Sequence, residues 1–92
     1  MYLFSFALLA TVMAKPQLKS EIELFVINKV REMRIKSNIS QAELALKLDL
    51  SVGFIGHIES PYHRAKYNLN HINKLAKIFD CPFQDFFPET PL

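Results

Sequence analysis

The stretch ISQAELALKLDLSVGFIGHIES, residues 39–60, restricts this chain's fold more than any other. Leu44, Ala45, Leu48, Leu50, Ile55 and Ile58 fall at helical spacing on either side of a polar residue, Asp49. Ser40, with Glu43 three residues on, reads as a helix start, and so does Ser51. In each case the hydroxyl can satisfy a backbone donor that the first turn leaves free. Two helices that cross steeply over a tight turn need a small residue where they touch, and Ala45 supplies it. They also need a turn residue that accepts positive φ, a place usually taken by glycine and open to Asp49. Residues 40–59 are therefore predicted as helix, tight turn, helix.

The flanking sequence extends the same pattern. Ser20 and Glu23 form a capping-box signature, and no Gly or Pro interrupts Glu21 to Lys36. Ile22, Phe25, Val26, Val30 and Met33 give that helix its apolar stripe, and Asn38 suits the left-handed conformation that closes helices. Pro61 marks a loop, SPYHRAKYN, and Asn68 caps a helix with Leu69, Ile72, Leu75, Ala76 and Phe79 on one side. Pro82 opens a last short helix through Phe87, in which Phe83 and Phe86 are the core positions. No strand pattern, repeat or Gly-rich phosphate loop is present. The expectation is an all-α, compact five-helix bundle at 20–87, with an extension and arm at 1–19 and a tail at 88–92.

Ninety-two residues suit one domain, and eight Phe with three Tyr can fill a small core. The single Cys81 forms no internal disulfide, which fits a cytoplasmic protein. The net charge is only +2, but Arg64, Lys66, Lys74 and Lys77 cluster between Ser60 and Lys77 without an acid, beside His63 and His71. That clustering predicts one anion-facing surface. The opening MYLFSFALLATVMA is apolar and uncharged, too short to span a bilayer comfortably, and lacks the basic start of a signal peptide. The simplest expectation is that Met13 is the true start and residues 1–12 are not native; a packed N-terminal extension and an exported chain are the alternatives. No membrane association is expected.

From VREMRIKSNISQAELALKLDLSVGFIGHIE through NLNHINKLAKIFDCPFQDFF, about residues 30–87, the chain resembles the phage-repressor (Cro/repressor, Xre-type) helix-turn-helix family. The resemblance implies the lambda-repressor-like fold and a double-stranded DNA partner. It also implies a third helix in the major groove, a homodimer on a palindromic site and a role in transcription regulation. It further implies that Arg34 and Glu59 form a structural salt bridge between the first and third helices. The base-facing positions are then Val52, Gly53, Gly56 and His57, which also lie opposite the apolar Ile55 and Ile58 at about 100° per residue. Here the chain departs from the family, whose usual readers are Gln, Arg, Ser or Asn. Only His57 can form a hydrogen bond, and Val52 can touch a thymine methyl.

Each Gly in a helix interior costs about 0.8–1 kcal/mol relative to Ala, so two in one short helix point to a close approach. Local packing is the competing explanation. Gln41 matches the family position that bonds the DNA backbone, at a helix N-terminus suited to phosphate. His63, Arg64, Lys66 and Tyr67 are the loop candidates for phosphate, and Lys15 and Lys19 are candidates for an arm. His57, His63, His71 and Cys81 lack metal-ligand spacing, no cofactor site is evident, and no nucleophile has a base and orienter, so no enzyme is expected. The polar-poor reading face leaves an alternative: a protein-interaction module or antitoxin-like protein that binds a partner such as a toxin. Phe87 and Leu92, with residues 2–9, are the surplus apolar surface expected to serve dimerisation.

Overall fold

A computed structural model describes residues 18–92. The expectations about the start at Met13, the apolar extension, residues 2–9 and Lys15 lie outside the described residues. Among the described residues four α-helices follow one another, α1 Glu21–Lys36, α2 Gln41–Leu48, α3 Val52–Glu59 and α4 Leu69–Phe79. A single 3-10 turn, Phe83–Phe86, stands where a fifth helix was expected. No strand occurs among the described residues.

Helix ends follow the local signals closely. Ser20 Oγ accepts from the Glu23 amide while the Glu23 carboxylate accepts from the Ser20 amide, completing the capping box of α1. Ser40 caps α2 through the Glu43 amide at 3.0 Å. Asn68 and His71 form a second reciprocal box at the start of α4. Ser51 occupies the N-cap position of α3, but its side chain makes no capping hydrogen bond.

Three helices close with a left-handed residue, and none of the three is glycine. Asn38, Asp49 and Asp80 have φ of 58°, 62° and 50°. After each, an amide reaches back five residues: Ile39 to Arg34 at 3.0 Å, Leu50 to Ala45 at 2.8 Å and Cys81 to Ala76 at 3.1 Å. Short polar side chains tolerate this conformation, which satisfies carbonyls that the helix end leaves free. Asp49 thus makes the tight turn between α2 and α3, as its position predicted.

The core is Val26, Ile27 and Val30 of α1, Leu44, Ala45 and Leu48 of α2, Ile55 and Ile58 of α3, Ile72 and Leu75 of α4, and Phe86. Ala45 is fully buried where α2 packs on α3, and α1 also packs on α3. Four expected core positions shift outward. Ile22 and Phe25 are 38% and 37% exposed, because the buried stripe of α1 runs through Val26, Ile27, Val30 and Arg34. Leu69 is 83% exposed, since the first residue of α4 projects past the end of the core. Phe83 is 52% exposed: in the tighter 3-10 turn only Phe86 points inward.

Candidate nucleic-acid interface

The helix α3 is held at its C-terminal end by charge. Arg34 Nε and Nη2 donate to Glu59 Oε2 and Oε1, both at 2.9 Å, and Nη1 donates to the Ile39 carbonyl at 3.0 Å. The Glu59 side chain is only 4% exposed. A two-pronged guanidinium contact is the geometry that makes a buried carboxylate tolerable. Arg34 and Glu59 therefore join α1 to α3 as a structural tie.

Gln41 belongs to the same cluster. Its Nε2 donates to Glu59 Oε1 at 2.9 Å, so its amide faces α3 and is half-buried. That contact fixes the first residue of α2 beside the start of the interface. The free backbone donors of a helix's first turn remain the natural partners for a phosphate there.

On the outer face of α3, Val52, Gly53 and His57 are exposed and Gly56 is half-buried. Neither glycine has positive φ. A Cβ on Gly53 would meet nothing within 4 Å, and one on Gly56 would lie 3.8 Å from Gln41 Oε1, an ordinary contact. The fold itself demands glycine at neither position, so local packing does not explain them. Phe54, on the margin of this face, turns inward to sit edge-on to His71 at 6.3 Å between ring centroids.

The loop candidates separate into different roles. His63 stacks on His57, with centroids 4.0 Å apart and planes 1° from parallel, and its Nδ1 accepts from the Ala65 amide. Its pKa is lowered by burial first, then by the charges of His57, Lys19 and Arg64. Arg64 is exposed and makes no ion pair among the described residues. Lys66 is already engaged with Glu23 at 2.6 Å, the contact that most strongly holds the Glu23 carboxyl down at about 2. Tyr67 departs from the phosphate expectation, because its hydroxyl is buried without a hydrogen-bond partner among the described residues. Burial also pushes that hydroxyl's pKa upward.

Lys19 is not an arm. It is 5% exposed, and its ammonium group sits on carbonyls at the end of α3. That contact has no local sequence signal, since Lys19 and α3 are far apart in the chain. Among the described residues, no group of three or more His, Cys, Asp or Glu could hold a metal, and no helix is long and apolar enough to cross a membrane.

The helix-turn-helix family pattern matches residues 30–86, spanning α2, α3, α4 and the Arg34–Glu59 tie. The chain belongs to the helix-turn-helix family of the phage-repressor, Xre-like type. A solved structure of the restriction-modification controller protein C.AhdI from Aeromonas hydrophila is similar, at 28% sequence identity and a TM-score of 0.58. The likeness covers 70% of this chain and 96% of that one. No curated protein matches. The helix-turn-helix membership makes this a DNA-binding, transcription-regulating class of protein.

Proposed function

We propose that the chain is a sequence-specific transcription regulator that inserts α3 into the major groove of double-stranded DNA. The observation that carries this reading is the outer face of α3, where Gly53 and Gly56 leave the backbone bare although the fold requires neither. Bare backbone lets a helix sit close to base edges, with Val52 available for a thymine methyl and His57 for a hydrogen bond. The first turn of α2 and the exposed Arg64 take the flanking phosphates. The likeness to a controller protein supports a regulator over a toxin-binding module.

The protein acts as a homodimer on a two-fold site. Its contact surface is the shallow apolar cleft of about 380 Å³ lined by Ile22, Val26, Leu69, Ile72 and Phe87. Random-site selection on duplex DNA, followed by anisotropy titration, tests the DNA reading. Enrichment of a palindromic sequence, with affinity falling as salt rises, is expected. Absence of duplex binding at low salt overturns it. Sedimentation showing only monomer at tens of micromolar, about where a weak dimer persists, removes the dimer.

A further inference from the structure

Lys19 lies one residue before the N-cap of α1 and is buried, yet no carboxylate lies within ion-pair distance of it among the described residues. Main-chain carbonyls take that place. Lys19 Nζ donates to the Ile58 carbonyl at 2.7 Å, to the His57 carbonyl at 3.2 Å and to the Ser60 carbonyl. An ammonium group carries three hydrogens and no acceptor, so three carbonyls use all its donors. These oxygens belong to the last turn and C-cap of α3, where the helix leaves carbonyls free and its dipole is negative. Burial lowers the Lys19 pKa, the Glu23 charge opposes this, and Lys66 adds to it.

The contact matters because α3 has little support of its own. It is eight residues long, holds both glycines of the chain, and lacks a side-chain N-cap bond. Helices that short do not persist in water without tertiary contacts. Beyond its buried Ile55 and Ile58, the helix is gripped from the α1 side at its side chains and at its backbone, with Arg31 adding a longer ion pair to Glu59 at 3.9 Å. Arg34 takes the Glu59 side chain, while Lys19 takes the backbone of His57 itself, whose ring stacks on His63.

We propose that Lys19 is a positioning residue for the reading helix, fixing the C-terminal end of α3 and thereby the place of the His57–His63 stack on its outer face. The positioning is a property of the free protein. Only its consequence for sequence discrimination rests on the DNA-binding reading above.

The test compares the full wild-type chain with K19M, which keeps the stem and removes the charge. A second variant, K19R, keeps the charge but offers a planar fork to carbonyls arranged around an ammonium group. Amide hydrogen exchange, the imidazole NMR signals of His57 and His63, and random-site selection are read in parallel. In K19M, α3 amides exchange about tenfold faster or more relative to those of α1 and α2. Both imidazole signals shift, and the selected sequence preference flattens. K19R shows the same changes to a smaller degree, and carries the test if K19M does not fold. Uniform acceleration across all helices, unchanged imidazole signals in a folded variant, or failure of both variants to fold overturns the proposal. If the wild-type chain selects no sequence, the DNA-binding reading falls, while exchange and imidazole signals still decide the role of Lys19.

Discussion

Replacing Gly53 and Gly56 with Ala separates what these residues do for the fold from what they do for binding. The folded chain accepts both methyl groups: open space surrounds Gly53, and the nearest atom to a new Cβ at Gly56 is Gln41 Oε1 at 3.8 Å. Both residues already have right-handed backbone, so no strain follows. The helix then gains what alanine gains over glycine, about 0.8–1 kcal/mol at each site. The two methyls meet no common partner, so the gains add to about 1.5–2 kcal/mol. In a domain of this size each kcal/mol raises the midpoint by about 4–8 °C, so the double variant melts on the order of 10 °C higher. Far-UV circular dichroism reads this directly. Binding should move the opposite way, because two methyl groups hold the helix back from the groove. A lost base contact is worth about 1–3 kcal/mol, so duplex affinity by anisotropy falls about tenfold or more. A double variant that is stabilised and still binds like the wild type refutes the close-approach reasoning. One that is not stabilised shows that the fold needs glycine after all.

Arg34→Met leaves Glu59 buried with its main partner gone, and urea unfolding should show a loss of about 3–5 kcal/mol; Arg34→Met with Glu59→Leu should recover most of it. A loss below about 1 kcal/mol from the single change would contradict a structural tie. Glu23 is held at about 2 against an ordinary 4.5, first by Lys66 and then by the Ser20 amide. A depressed carboxyl stabilises the fold fully above its unfolded value, and that share is lost as pH falls from about 4.5 towards 2. Glu23→Gln should therefore flatten the acid limb of the stability profile in that window, and an unchanged limb counts against the Lys66 contact. His57→Ala should relax base preference in site selection. Arg64→Ala should weaken all duplexes alike and lower the salt slope by about one, and a swap of these two outcomes contradicts the assigned roles.

Signals carried by neighbouring residues were legible in the sequence. The Ser20–Glu23 box, the Ser40 and Asn68 caps, and the left-handed Asn38 and Asp49 act over a few residues, so letter and spacing suffice to find them. The tight turn of residues 40–59 and its buried Leu44, Ala45, Leu48, Ile55 and Ile58 were legible for the same reason. Periodicity was less exact about which stripe faces inward. On α1 the apolar residues span more of the surface than the core covers, and a charged residue, Arg34, takes part of the buried stripe because Glu59 waits there. Leu69 and Phe83 have apolar side chains at element ends, where helical phase still says inside although no neighbour covers them.

The candidate site divides along the same line, and the reason is what its contacts are made of. The outer positions Val52, Gly53 and His57 follow from helical phase, because they oppose Ile55 and Ile58 on a single helix. Which basic residues remain available to an anion does not follow, since each depends on a partner from elsewhere. Lys66 is claimed by Glu23 across the fold, Tyr67 is turned inward, and Lys19 is drawn to the end of α3. Lys19 is the hardest to foresee because its partners are carbonyl oxygens, which every residue possesses and no letter marks. The same holds for the two glycines taken with the three left-handed sites. A chain that closes its helices with Asn38, Asp49 and Asp80 has placed its only glycines where no turn requires them. That displacement shows only when backbone angles and residue identities are read together. It moves the reason for both glycines from the turns of the fold to the exposed face of α3.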